Sequence, residues 1–199
     1  AARAELIDTW DAQRRADPDK TRIILTHTNA EVRDLNQAAR DRLRDAGELG
    51  QDVRISAERG ARDFASGDRI MFLKNERGMG VKNGTLGKVE RVSPDSMAVR
   101  LDDGRQVAFD LKDYAHVDHG YAATIHKSQG SEYPMVVLAF LPQHYMMLQR
   151  NLVYTGLTRA KRKVIFVGDP TAFAMAVRND KTLARRTDLI RKLDHVLSK

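Results

Sequence analysis

The spacing of apolar positions changes twice along the chain, and the changes divide it into three stretches. From Arg3 to Arg15, Ala4, Leu6, Ile7 and Trp10 stand among charges at intervals that suit one helical face, and Asp17-Pro18-Asp19 supplies the turn that ends it. Arg22-Ile23-Ile24-Leu25-Thr26-His27 is compact, apolar and β-branched, and predicts a buried strand. Thr28-Asn29-Ala30-Glu31 opens a charged, alanine-rich helix that runs to about Asp45 and is stopped by Gly47 and Gly50. Between about Gln51 and His116 the helical period disappears. The strand candidates there are Asp68–Leu73, Thr85–Val92, Ser96–Leu101 and Gln106–Asp110. Their turns are Lys82-Asn83-Gly84, Ser93-Pro94-Asp95 and Asp102-Asp103-Gly104, of which Asn-Gly and Asp-Gly are favoured in tight hairpins.

After His116 the α/β alternation returns. Gly120 to Gln129 leads through Gly130 into the apolar strand Met135–Leu141. Pro142 to about Arg159 is helical by pattern, with Tyr145, Leu148 and Leu152 on one row and Met146, Val153 and Leu157 on the next. Lys163–Asp169 reads as strand again, ahead of Pro170 and a last helical region. Three apolar strands alternating with helices predict an α/β fold, a parallel sheet with helices on both faces. Closely spaced short strands in the middle predict a small antiparallel barrel, SH3-like or OB-like, that interrupts it. The expected division is 1–50 and 117–180 for the α/β unit, 51–116 for the insertion and 181–199 for a basic C-terminal helix. From Asn179 the tail carries Leu183, Ile190, Leu193 and Leu197 at helical spacing, with six Lys or Arg against three Asp, the pattern of a covering helix with a solvated basic face.

Composition narrows the function classes. Apolar residues are 42% and charged residues 31% of 199, the balance of a globular protein with a core, and excludes collagen-like, mucin-like and low-complexity readings. Met135–Leu141, the longest apolar run, is far short of the ~20 residues that span a bilayer, and Ala1-Ala2-Arg3-Ala4-Glu5 does not read as a signal peptide. With no cysteine, disulfide scaffolds, thiol nucleophiles and zinc ribbons drop out, and the expected compartment is the cytoplasm. Lys and Arg number 34 against 27 Asp and Glu, a net charge of +7 that suits a polyanionic partner.

Two stretches carry candidate chemistry. Thr124-Ile125-His126-Lys127-Ser128-Gln129-Gly130-Ser131-Glu132 concentrates polar residues and glycine just before a strand, where α/β sheets bind ligands. Lys127 can neutralise a phosphate, Thr124, His126 and Gln129 can hydrogen-bond one, and Gly130 permits close approach; a polar loop capping a helix would look the same. Tyr154-Thr155-Gly156-Leu157-Thr158-Arg159-Ala160-Lys161-Arg162-Lys163 crowds cations at a helix end, which either opposes the helix dipole or presents a guanidinium to a transferring phosphoryl group. The phosphate loop G-x-x-x-x-G-K-[ST] is absent, since Gly87-Lys88 is followed by Val89 and preceded by Lys82 at the first glycine's place. No apolar strand ends in an Asp-Glu pair that would hold magnesium.

Gly120 to Glu132 resembles motif V of superfamily 1 helicases, and Asn151-Leu152-Val153-Tyr154-Thr155-Gly156-Leu157-Thr158-Arg159-Ala160-Lys161 resembles their motif VI. Ile24 to Asn29, with Leu35-Asn36, resembles an earlier motif of the same second RecA-like domain, so the resemblance covers nearly the whole chain. It is strongest to RecD-like 5′-to-3′ helicases and to the helicase part of TraA-type conjugative-transfer relaxases. Gly67–Asn75 with Gly80–Gly84 resembles the SH3-like 2B subdomain of such enzymes. The resemblance implies an ATP-driven motor on single-stranded DNA. Arg159 would be its arginine finger, Gly130 and Glu132 would face the nucleotide, and Thr28, Asn29, Thr124, His126 and Lys127 would face DNA, with Lys74, Lys82 and Asn83 as weaker barrel contacts.

The departure from the family matters as much. The phosphate-binding lysine and magnesium ligands of a first RecA-like domain are missing, which implies ATP and Mg2+ in a complete protein, none held stably by this chain, and no ATP hydrolysis of its own. Partners implied are single-stranded DNA, that first domain, and relaxase or transfer-machinery proteins, with no membrane. Two other readings compete. One is a non-catalytic module whose basic barrel binds nucleic acid or protein; the other is a hydrolase using Ser128 and His126, which lie two apart on one loop with no spaced acid partner.

Overall fold

The computed structural model describes residues 2–140, 150–168, 171 and 174. The expected helix before position 150, the helical region after Pro170 and the basic tail 181–199 therefore lie outside the described residues. In order the elements are α1 Ala2–Ala16, β1 Arg22–Thr26, α2 Asn29–Asp45, β2 Val53–Ala57, β3 Gly60–Phe64, β4 Arg69–Phe72, β5 Leu86–Val92, β6 Ser96–Leu101, β7 Gln106–Asp110, β8 Val117–His119, β9 Ala122–Thr124, β10 Tyr133–Phe140, α3 Arg150–Thr158 and β11 Ala160–Gly168.

Four strands form the parallel sheet, in the order β11-β10-β1-β9. β1 is its pivot, with Ile24 opposite both Val137 and Ala122. Successive side chains of a strand point to opposite faces, and both faces here are apolar. Ile23, Leu25, Val136 and Leu138 share one cluster with Val153 of α3 and with Met71 and Leu86. Ile24, Val137 and Ala139 share the other with Leu6, Ile7 and Trp10 of α1 and Val32, Leu35, Ala39 and Leu43 of α2. The sequence predicts three of these strands. The fourth, β9, is three residues of small side chains whose pattern carries no strand signal, and the pairing with β1 alone makes it one.

The stretch between α2 and β9 folds as an antiparallel sheet in the order β7-β6-β5-β4-β8 with the hairpin β2–β3 beside it. Its core includes Ile55, Phe64, Ile70, Val89, Met97 and Val99, with Phe72, Phe109 and Tyr114 in mutual ring contact at 5.6–6.0 Å. Two differences from expectation stand out. The hairpin is unanticipated because β3 is Gly-Ala-Arg-Asp-Phe, of which Phe64 is the fully buried residue. The antiparallel sheet also continues past His116, since Val117–His119 pairs with β4. At the return Gly120 is fixed by contact: a methyl group there would lie 2.5 Å from the Ile70 carbonyl carbon, against backbone that has no room to yield.

One buried cluster joins the two sheets. Asp68, fully buried at the entry to β4, accepts two bonds from Arg40 of α2, Nε to Oδ1 at 3.0 Å and Nη2 to Oδ2 at 2.9 Å. It also accepts the Tyr121 hydroxyl at 2.6 Å and the Ala65 N–H at 2.8 Å. Burial opposes the Arg40 charge, but the bonds and attraction to Asp68 and Asp52 prevail and hold its guanidinium above its ordinary value. Burial and the Asp68 charge push the Tyr121 hydroxyl well up, so it stays a donor. Asn36 completes the joint by accepting the Tyr121 and Ala122 N–H groups at 3.1 and 2.8 Å, which places β9.

Asp68→Asn leaves the buried Arg40 with the half-exposed Asp52 as its carboxylate partner among the described residues, and urea unfolding should register a loss of about 3 kcal/mol; a loss below about 1 kcal/mol would show that the joint does not hold the sheets together. A second expectation concerns acid. His119 donates Nε2–H to the Asp63 carbonyl at 2.8 Å and packs on Phe64, and burial, opposed mainly by the Asp68 charge, holds it below its ordinary value. The unfolded chain therefore binds the proton first. Stability is full above the unfolded value of about 6.5 and falls as the pH drops below it. Unfolding measured from about pH 7 to about pH 5 should fall more steeply than in His119→Gln, and equal slopes would remove His119 as the cause.

Candidate nucleic-acid and nucleotide surfaces

The candidate residues divide between the two ends of the sheet. Thr26 of β1 and Thr124 of β9 are register partners at the C-terminal end. The loops leaving these strands bring Asn29, Thr124, His126 and Lys127 to one groove of about 350 Å³. His126 and Asn29 are exposed and Lys127 is half-buried. Burial first, and then the charge of Arg59, hold the Lys127 ammonium below its ordinary value, with Glu58 opposing. An anion in the groove would relieve that repulsion. Thr28 sits beside them, but its hydroxyl caps α2 by accepting the Glu31 N–H at 3.3 Å, an ordinary N-cap bond. Thr124 is likewise engaged, accepting the Lys127 N–H at 3.0 Å, which sets the shape of its loop.

Arg59 is the residue the sequence did not single out. It stands on the turn of the β2–β3 hairpin and lines the same groove, 3.5 Å from Asp118. Its neighbour Glu58 contacts His116 Nδ1 at 2.7 Å, which holds its carboxyl below the usual range. Recognising the hairpin would have exposed the pair Glu58-Arg59 as its turn.

Residues 125–132 cross from this end to the start of β10, at the opposite end of the sheet. The crossing is braced by Ser128, fully buried, whose hydroxyl donates to the Ile125 carbonyl at 2.6 Å. Gly130 turns with a φ of +82°, a conformation that favours glycine, and stands exposed. Glu132 is exposed, 3.9 Å from Lys161. Arg159 follows α3 in the turn to β11, and its guanidinium spans three acceptors: the carbonyls of Thr155 and Ser131, each at 3.3 Å, and the Thr158 hydroxyl at 3.1 Å. No carboxylate among the described residues pairs with it. The other cations of this stretch, Lys161, Arg162 and Lys163, lie in β11 and not at the helix end. Arg159 is thus half-buried and held on neutral acceptors among the described residues.

Lys74, Lys82 and Asn83 lie on the β4–β5 loop, all exposed, and none lines the groove of Lys127. The Asn83 N–H is held by Asn75 at 2.8 Å. The loop leans toward the other end: a methyl group on Gly84 would meet the Ser131 hydroxyl oxygen at 2.5 Å. Gly84, next to Lys82 and Asn83 in sequence, thus lies against Ser131, whose carbonyl accepts from Arg159. No cluster of His, Asp or Glu among the described residues has the arrangement of a metal site.

This fold and these stretches match known proteins. The model of the UvrD-like helicase C-terminal domain matches residues 119–167, from the last residue of β8 to the penultimate residue of β11. A probable conjugal transfer protein TraA of Sinorhizobium fredii is 44% identical over 158 residues, which cover 77% of this chain and 14% of that protein. The ATP-dependent RecD2 DNA helicase of Deinococcus radiodurans is 36% identical over 127 residues, 64% of this chain and 18% of that one. Among solved structures, Pif1 helicase from Bacteroides in complex with ADP-AlF3 and ssDNA superposes with a TM-score of 0.59 at 21% identity, over 91% of this chain and 46% of that one, which establishes the fold. The parallel sheet is thus a RecA-like domain of the superfamily 1 helicase kind. Within that class the chain belongs with the RecD-like and TraA proteins, as a C-terminal portion.

Proposed function

We propose that this chain is the C-terminal motor half of an ATP-dependent translocase or helicase acting on single-stranded DNA, within a conjugative DNA-transfer protein. The observation that carries the reading is Arg159, a guanidinium held on neutral acceptors without a carboxylate partner among the described residues, inside an intact Asn151–Lys161 stretch. A planar, always-charged group kept free of counter-charge is what stabilises a transferring phosphoryl group, and such fingers contribute ~10³ to 10⁵ in rate. ATP and Mg2+ would be held mainly by a first RecA-like domain, with Gly130 and Glu132 facing the nucleotide, and the chain alone would not hydrolyse it. A non-catalytic binding module would have no need to keep Arg159 in that setting.

On this reading Asn29, Thr124, His126 and Lys127 form part of the DNA track, with Thr28 contributing through the cap that positions Asn29. The antiparallel insertion serves as the SH3-like 2B subdomain, with Lys74, Lys82 and Asn83 as its candidate DNA contacts. Recognition is expected to be of backbone and stacked bases, without sequence preference.

Two measurements test the reading. In the full-length protein, Arg159→Ala should abolish DNA-stimulated ATP hydrolysis while leaving most DNA binding intact; unchanged turnover removes the finger assignment. Anisotropy of labelled oligo-dT titrated with the chain should show binding that weakens steeply with salt, and His126→Ala with Lys127→Ala should lower both affinity and salt slope, by roughly one unit of slope for a lost phosphate contact. Binding undiminished in that double variant would move the track elsewhere. Arg59→Ala should likewise lower the slope, because Arg59 faces the same groove.

A further inference from the structure

Arg159 is held from outside its own helix by the segment that precedes β10. Its Nη1 donates to the Ser131 carbonyl at 3.3 Å, and its own carbonyl accepts the Tyr133 N–H at 2.7 Å, so side chain and backbone are both fixed to residues 131–133. On one side that segment has space around it: a methyl group placed on Gly130 would meet nothing within 4 Å among the described residues. On the other side it rests on the β4–β5 loop of the insertion. A methyl group on Gly84 would lie 2.5 Å from the Ser131 hydroxyl oxygen, 3.5 Å from the Ser131 Cβ and 3.5 Å from the Tyr133 hydroxyl. All three atoms belong to the segment that carries Arg159.

The turn that presents Gly84 is closed on itself and tied to the sheet. Gly84 donates its N–H to the Phe72 carbonyl at 2.8 Å, and Phe72 donates to the Thr85 carbonyl at 2.8 Å. Lys82 donates to the Thr85 hydroxyl at 3.0 Å, Thr85 returns a bond to the Lys82 carbonyl at 3.0 Å, and Asn75 holds the Asn83 N–H. Met71 and Leu86, in the strands on either side, share one core cluster with Tyr133 and Val153. The turn therefore has no easy retreat from Ser131. A φ of +94° accounts for a glycine at position 84, but not for its contact. Gly104 separates the two: it has nearly the same φ, +92°, and a methyl group there would meet nothing within 4 Å among the described residues.

We propose that Gly84 is a positioning residue for Arg159: its bare backbone is the wall on which Ser131 rests, and it sets where the Ser131 carbonyl holds the guanidinium. The inference rests on the reading of Arg159 as the group that meets the transferring phosphoryl. It gives the insertion a part in ATP hydrolysis separate from any contact with DNA. A group that acts on transition-state charge is sensitive to placement, and a shift of about 1 Å can cost on the order of a hundredfold in rate. The wall acts only through Ser131, so removing the Ser131 hydroxyl should undo the effect of filling the space at Gly84.

The test is ATP hydrolysis by the full-length protein at saturating single-stranded DNA. Gly84→Ala should lower kcat by about tenfold and leave KM for ATP unchanged, because the contact it disturbs is made in the transition state. Gly104→Ala, with the same backbone strain in open space, should keep kcat. Adding Ser131→Ala to Gly84→Ala should recover most of the lost rate, measured against Ser131→Ala itself. Asn75→Ala frees the turn from an exposed position without adding bulk, and should also lower kcat. Equal kcat in the two glycine variants, or a loss that Ser131→Ala does not relieve, would overturn the assignment; should Gly84→Ala not fold, an unchanged kcat in Asn75→Ala would overturn it instead. Arg159→Ala in the same assay keeps two failures apart. Unchanged turnover there removes the finger reading and this inference with it, whereas turnover abolished there but normal in Gly84→Ala removes the role of Gly84 alone.

Discussion

A single carboxylate determines how the two sheets sit together. Asp68 gathers Arg40 from α2, the N–H of Ala65 and the hydroxyl of Tyr121, so it is touched by the chain before, within and after the antiparallel insertion. Desolvating an ion pair costs about what its attraction returns, so net stability does not explain its presence. Its geometry does. Nonpolar contacts would let the insertion slide on α2, whereas a two-bonded guanidinium and a hydroxyl fix both distance and rotation. Tyr121 is the residue before β9, and Asn36 holds the same N–H groups, so the joint also sets the register in which β9 meets β1. The loop that begins at Thr124 starts from that register.

That loop joins the two candidate surfaces of the domain. Thr124 lies at the C-terminal end of the sheet and Tyr133 at the N-terminal end of its own strand, and residues 125–132 join them across β1. Lys127 faces one groove from the start of this crossing, while the carbonyl of Ser131 receives Arg159 at its end. Ser128 is buried between them, so the crossing is anchored at its middle. A change in what Lys127 binds would be felt by Arg159 through a short, braced segment and not through the core. On the proposed reading this is the physical route from DNA to nucleotide, and it needs no movement of the sheet.

What the residue pattern revealed and what it hid follow from the range of the interactions. Buried strands such as Ile23–Leu25 and Val136–Leu138 are apolar on both faces and advertise themselves, and Gly104 with its φ of +92° makes the Asp102-Asp103-Gly104 turn as its sequence implies. β9 and the β2–β3 hairpin lack such patterns because they are strands by virtue of partners far away in sequence. The motif residues Arg159, His126 and Lys127 were visible by spacing and resemblance, whereas Arg59 was not, because only the hairpin brings it to the groove. Thr28 carries a different lesson. A hydroxyl that looks like a ligand contact in a motif is spent on a helix cap, and its influence on any ligand passes through the position of Asn29.

The net charge of +7 gains meaning from where carboxylates are absent. Arg14, Arg40, Arg42, Arg44, Arg69, Arg100 and Arg105 all have acidic partners, and most of these pairs are on the surface, where each contributes little. Lys127, Arg159 and Arg22 have none among the described residues, and each is half-buried or buried, where an unanswered charge is costly. Pairing does not follow enclosure, because the buried Arg40 is paired with Asp68 while exposed cations such as Lys74 and Lys82 have no ion pair among the described residues. On the proposed reading an anion from outside the chain meets two of these places, the Lys127 groove at the C-terminal end of the sheet and the Arg159 turn beside β10. Charge in this protein is therefore better read residue by residue, from what each cation touches, than as one basic surface.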